Sequence, residues 1–83
     1  MSYEIFFSER ALKELKKMEK DVQERIIAVL ERSRIRPEAY VTKLVGDPGY
    51  KLRVGDYRVI VDIDPAERRI FVLKVGHRKK IYG

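Results

Sequence analysis

The residues best able to do chemistry in this 83-residue chain are cations, and they fall in two stretches. One runs Tyr50-Lys51-Leu52-Arg53-Val54-Gly55-Asp56-Tyr57-Arg58-Val59-Ile60-Val61; the other is Gly76-His77-Arg78-Lys79-Lys80-Ile81-Tyr82-Gly83. In the first, two alternating runs joined by Gly55-Asp56 predict a tight β-hairpin. That turn sets Val54 against Tyr57, Arg53 against Arg58, Leu52 against Val59 and Lys51 against Ile60. With a side-chain period of two, Leu52, Val54, Tyr57 and Val59 share one face, and Lys51, Arg53 and Arg58 share the other. Two directly opposed arginines with a lysine beside them are like charges where a sheet prefers opposite ones. Such a face suits an anion with several charged oxygens, phosphate above all, because the planar guanidinium fork matches it. A solvated strand face, or arginines paired to carboxylates elsewhere, accounts for these residues equally well.

The elements that must position this face read in order along the chain. Tyr3 to Phe7 alternates as a first strand. Ser8 is placed to cap a helix carrying Glu9 in its first turn and the apolar stripe Ala11, Leu12, Leu15 and Met18. Asp21 with Glu24 resembles a capping box opening a second helix, whose buried side is Val22, Ile26, Ile27, Val29, Leu30 and Ser33. Helices this close in sequence are expected to pack as an antiparallel pair. Arg34 to Thr42 reads as a connection and Lys43 to Gly49 as a loop, followed by the hairpin with its second strand ending at Ile63. Asp64-Pro65 begins a turn. Ile70 to Val75, apolar except for Lys74, reads as a central strand covered on both sides. The expected fold is α+β: a strand, a two-helix hairpin, then a three-stranded antiparallel meander. The helices would cover the face carrying Leu52, Val54, Val59 and Val61 of a mainly antiparallel sheet. The other face would hold Lys51, Arg53 and Arg58, with the tail bearing Arg78 and Tyr82 able to fold across it.

Size and composition narrow the function. A chain of 83 residues is expected to form one domain, residues 1–83, with a limited core. It has no cysteine, so disulfides and thiolate metal sites are excluded and a reducing cytoplasm is the expected compartment. No apolar run approaches a membrane span or a signal-peptide core. The net charge of +6 is uneven: residues 1–42 balance to +1 and residues 43–83 to +5. Positive charge concentrated around the hairpin and tail favours an acidic partner such as nucleic acid.

Over its whole length the sequence resembles the RelE-type toxins of toxin–antitoxin systems. The resemblance rests on Phe7-Ser8-Glu9-Arg10-Ala11-Leu12-Lys13-Glu14-Leu15, Lys43-Leu44-Val45-Gly46 and Tyr50-Lys51-Leu52-Arg53. It continues through Gly55-Asp56-Tyr57-Arg58-Val59 and closes on Val75-Gly76-His77-Arg78 and Tyr82. It implies a fold like the one read above, cleavage of messenger RNA in the ribosomal A site, no cofactor or metal, and inhibition by a cognate RelB-type antitoxin. The family's functional positions fall on Lys51, Arg53, Arg58, Arg78 and Tyr82. The chain departs from the pattern at Arg53, where the family often has lysine, and the best-known members continue past the tyrosine as a helix.

On that resemblance the substrate's own 2′-hydroxyl attacks the adjacent phosphate, leaving a 2′,3′-cyclic phosphate and a free 5′-hydroxyl. The protein orients the groups, removes a proton, neutralises charge and protonates the leaving oxygen. Arg53 and Arg58 are expected to stabilise the phosphorane. Arg78 is expected to hold the phosphate near the leaving group, and Tyr82 to stack on a base or orient the 2′-hydroxyl. Arginine stays protonated, so Lys51 is favoured as general base, with His77 the alternative. Lys79 and Lys80 are expected to make phosphate contacts of RNA binding, and His77 lies beside them. Tyr82 as tail packing and His77 as a plain surface residue remain open. The competing functions are a ParE-type poison of DNA gyrase, a non-catalytic RNA-binding module and an inactive relative that only binds antitoxin.

Overall fold

The computed structural model describes residues 2–81. Tyr82, an expected site residue, lies outside the described residues. The elements run β1 (Glu4–Phe7), α1 (Glu9–Lys16), α2 (Lys20–Ser33), a 3-10 turn (Pro37–Ala39), β2 (Val41–Lys43), β3 (Tyr50–Val54), β4 (Tyr57–Asp64) and β5 (Arg69–His77). The strands form one five-stranded sheet in the order β1-β5-β4-β3-β2. Every neighbouring pair is antiparallel except β1 with β5, which is parallel. The architecture is the α+β one expected from the sequence, with both helices packed on one face of a mainly antiparallel sheet.

The core lies between helices and sheet. Ala11 and Leu15 of α1 and Val22, Ile26 and Leu30 of α2 meet Leu52, Val54, Val59, Val61, Ile70, Val72 and Val75. Fully burying one such aliphatic side chain stabilises by about 1.5–3 kcal/mol. Ser8 caps α1 as expected: its hydroxyl accepts from the Ala11 N–H at 3.0 Å. Glu9 at the start of that helix and Lys13 and Lys16 at its end complement the helix dipole.

Four expectations need correction. Val41–Lys43 is an edge strand, not part of a connection, and it lies in register with Tyr50–Leu52. Backbone pairing and the packing of Val41 against the core hold these three residues, too few to show a side-chain period. The meander therefore has four strands. The second helix begins at Lys20 with Glu19 at its cap and no side-chain capping bond, so Asp21 and Glu24 form no capping box. Asp21 sits in the first turn, where its charge favours the dipole. Ile27 faces outward at 44% exposure, one position off the buried stripe.

The fourth correction concerns β5, which is central but not covered on both faces: Leu73 is 42% exposed. Ile60 pairs with Lys74 and Val61 with Val72, so Leu73 is an extra residue bulged out of the ladder. Inward-facing residues accordingly run Ile70, Val72, Val75, with the period broken once. The helix side takes up the backbone groups at this bulge. The Ser8 hydroxyl donates to the Leu73 carbonyl at 2.9 Å, the Ser8 N–H to the Val72 carbonyl at 2.9 Å, and the Val75 N–H donates to Glu14 Oε1 at 2.8 Å. A charged acceptor on a partly buried N–H is among the stronger hydrogen bonds of a fold.

Candidate functional site

The Gly55-Asp56 turn organises the cationic residues. Gly55 has φ +57°, the left-handed region that a two-residue hairpin turn favours. It joins β3 to β4 in the expected register: Val54 opposite Tyr57, Arg53 opposite Arg58, Leu52 opposite Val59 and Lys51 opposite Ile60. Leu52, Val54 and Val59 are buried against the helices, which leaves Lys51, Arg53 and Arg58 on the opposite face.

The two opposed arginines are held differently. Arg58 folds back on the turn, its Nη1 donating to the carbonyls of Gly55 and Tyr57, each at 2.9 Å. Arg53 is exposed. Arg58 is thus oriented by backbone dipoles, and among the described residues no ion pair involves either arginine. Lys51 is half-buried two residues back along β3, about 7 Å from the Arg53 position by strand geometry.

Arg78 reaches the same turn from β5. Its N–H donates to the Asp56 carbonyl at 2.8 Å, and its Nε lies 3.8 Å from Asp56 Oδ1, with both side chains more than half exposed. An exposed ion pair of that length contributes little; the backbone bond fixes the place. Gly76 lies opposite Arg58, and a Cβ on it would meet Ile81 Cδ1 at 3.1 Å. That glycine lets buried Ile81 close onto the strand, with the N–H groups of Lys80 and Ile81 bonded to the His77 carbonyl. Arg78 is therefore tied by its backbone to the turn that joins the Arg53 and Arg58 strands, at the end of a strand two residues longer than expected and not in a tail folded across the face.

The other expected RNA-binding residues sit apart. His77 lies opposite Tyr57 and meets its ring edge-on at 5.4 Å, so it faces away from Arg58. Its Nδ1 accepts from the Lys79 N–H at 3.2 Å. Lys80 joins His77, Arg10, Lys17 and Glu14 around a separate cleft beside α1. Lys79 and Lys80 are exposed on the turn after β5.

Sequence reasoning missed three residues that shape this region. Arg25 of α2 lies against the hairpin turn, its Nη2 only 2.7 Å from where a Gly55 Cβ would stand. Glu14 and Ser8 fasten β5 just before Gly76 and Arg78. The cap at Ser8 was legible, but nothing local marks a helix carboxylate destined for a strand amide 61 residues away. The side chains gathered at the turn can bind and neutralise a multiply charged oxyanion.

Comparison with known proteins agrees with this geometry. Residues 5–82 match the family described as the ParE toxin of the type II toxin–antitoxin system parDE. The mRNA interferase toxin RelE of Escherichia coli is 36% identical over 87 residues, spanning 96% of this chain and 87% of that protein. The toxin in the E. coli RelBE toxin–antitoxin complex superposes with a TM-score of 0.77 at 36% identity, covering 92% of this chain and 96% of its own. The archaeal RelE–RelB complex from Pyrococcus horikoshii gives a TM-score of 0.78 at 25% identity, covering 96% and 99%. This fold and these relatives place the chain in the RelE/ParE toxin family of type II toxin–antitoxin systems.

Proposed function

We propose that this chain is the toxin of a type II toxin–antitoxin pair and an mRNA interferase that cuts messenger RNA in the ribosomal A site. The observation that carries the reading is the like-charged cross-strand pair Arg53–Arg58, with Arg78 tied to the same turn through its backbone. A sheet gains nothing from opposed arginines, so an anion is their natural complement.

The nucleophile comes from the RNA. Its 2′-hydroxyl attacks the adjacent phosphorus, the bond from phosphorus to the 5′-oxygen breaks, that oxygen takes up a proton from water, and the products are a 2′,3′-cyclic phosphate and a 5′-hydroxyl. Arg53 and Arg58 share the charge that develops on the non-bridging oxygens; Arg58, already held by two carbonyls, loses little freedom in doing so. Arg78 holds the phosphate at its leaving side. Lys51 accepts the 2′-hydroxyl proton, and Tyr82 stacks on a base or orients that hydroxyl. His77, turned toward Tyr57, is poorly placed to share the proton transfer. Lys79 and Lys80 add phosphate contacts. The partner is a RelB-type antitoxin, with an acidic segment over the face of Lys51, Arg53 and Arg58. No helix among the described residues is long and apolar enough to cross a membrane, in keeping with work on cytoplasmic ribosomes.

Primer extension on a translated messenger in a purified translation system tests this, comparing wild type with Arg78→Ala. Discrete cuts at the A-site codon, lost in the variant, are expected. Intact messenger at high wild-type concentration would refute the reading. Because the matched family is described by the ParE toxin, a gyrase supercoiling assay then decides for the gyrase-poison alternative.

A further inference from the structure

The open face of the sheet carries a feature that the phosphate chemistry leaves unused. Leu44, Asp47, Pro48, Gly49, Ile60, Leu73 and Lys74 line a cleft of about 270 Å³. Ile60 is buried, yet it stands apart from the cluster that packs between helices and sheet; the 44–49 loop covers it instead. Two details shape the cleft. The Leu44 N–H donates to the Gly49 carbonyl at 3.0 Å, closing the loop on itself. A Cβ on Gly49 would lie 3.2 Å from the Val61 carbonyl and 3.5 Å from Leu44 Cδ1, so a side chain there would press the loop a few tenths of an ångström off β4.

We propose that this cleft receives one nucleobase of the bound RNA and contributes to the choice of cutting site. The inference rests on the RNA-cleaving reading above. Its walls, Leu44, Pro48, Ile60 and Leu73, are apolar, while Asp47 offers an acceptor and Lys74 a donor. A base has that combination: apolar faces and an edge of hydrogen-bonding groups that single-stranded RNA leaves open. Position decides for a nucleotide over a free apolar ligand. Ile60 is the cross-strand partner of Lys51 and lies two residues from Arg58 on the same side of β4. That is about 7 Å along the strand, on the order of the span from a nucleotide's phosphate to its base. A phosphate held by Arg53 and Arg58 therefore leaves its own or a neighbouring base over the cleft. The bulge at Leu73 supplies the remaining wall, since the register shift there leaves Leu73 and Lys74 next to each other on the cleft side before Val75 turns inward.

The test uses wild-type protein with methyl-labelled leucine and isoleucine and a set of 2′-O-methylated RNA trinucleotides, which cannot be cut. An abasic trinucleotide of the same charge is the control. The Leu44, Ile60 and Leu73 methyl signals are expected to shift with the base-bearing oligonucleotides and to stay put with the abasic one. Leu73→Ser, at a position already exposed, should weaken trinucleotide binding about tenfold while barely changing binding of the abasic control. Asp47→Asn should alter the rank order of affinity among the four bases. Equal shifts from abasic and base-bearing oligonucleotides would overturn the proposal while leaving the phosphate site intact. So would cleft signals that ignore every oligonucleotide and respond only to antitoxin, since the cleft would then belong to a protein partner. Loss of all oligonucleotide binding, at the arginines as well, would instead bring down the RNA-cleaving reading beneath it.

Discussion

Arg53→Glu should make this protein more stable and abolish its cutting of RNA. In the folded chain Arg53 stands directly opposite Arg58, and among the described residues no ion pair involves either. Opposite charges at such cross-strand positions contribute about 0.2–1 kcal/mol, and like charges cost a similar amount. Reversing one sign therefore gains roughly 0.4–2 kcal/mol before solvent is considered. Arg53 is exposed and Arg58 already donates to two carbonyls, so the expected gain lies toward the lower half, about 0.5–1 kcal/mol. For a domain of this size that raises the unfolding midpoint by about 2–8 °C. Urea unfolding of wild type, Arg53→Gln and Arg53→Glu at low and high salt measures it. The order should be Glu above Gln above Arg, converging as salt screens the charges. Adding Arg58→Gln should remove the extra gain of glutamate over glutamine. If Arg53→Glu is no more stable than Arg53→Gln at low salt, the two arginines do not repel across the strands and the central argument for an anion site fails.

Three further outcomes follow from particular contacts. Glu14→Ala leaves the half-buried Val75 N–H without its acceptor and should cost about 1.5–3 kcal/mol, with faster hydrogen exchange at that amide; Glu14→Gln should recover part of it, and unchanged exchange in Glu14→Ala would discount the bond. Gly55→Ala should destabilise by about 1–2 kcal/mol because its φ is positive, with a further penalty from Arg25 Nη2 that Arg25→Ala relieves in the double variant. Gly76→Val should expel Ile81 from its seat, read as an exposed Ile81 methyl by NMR, and reduce RNA cleavage by displacing the tail after Arg78; a native Ile81 signal would show that the tail is held elsewhere.

The hairpin could be read from the sequence in full, because a two-residue turn fixes the register and the period of two assigns every face. Its cationic side was legible for the same reason; Arg78 was legible only as part of a tail able to fold across the face, because the apolar run stops at Val75 while the strand continues to His77. Where the sequence misled, long-range bonds had overridden local pattern. Leu73 looks like core in an apolar run, but it stands on the open face where the register of β5 shifts, with Ser8 and Glu14 bonded to the strand backbone on either side of the shift. Strand β2 has no pattern of its own and exists because β3 offers it a backbone edge. His77, adjacent to Arg78 in sequence, is carried to the reverse face by ordinary strand alternation, which residue type alone could not show. The cleft beside Ile60 was invisible for a related reason: its walls come from a loop and a bulge, neither of which has a period.

The parallel pairing of β1 with β5 ties residues 4–7 to residues 69–72. Strand β5 is thus wedged between the earliest strand and a late one, and its registers depend on Ser8 and Glu14 near the start of the chain. Such pairing must overcome a large loop-closure entropy before it is rewarded, which slows folding relative to a helical or purely local design. During folding, the helices and the Arg53–Arg58 hairpin can form from local contacts, but Arg78 is delivered to them only once β5 has paired with β4 and β1. The cationic turn is thus completed only when strands from opposite ends of the fold have met, and not by the hairpin alone.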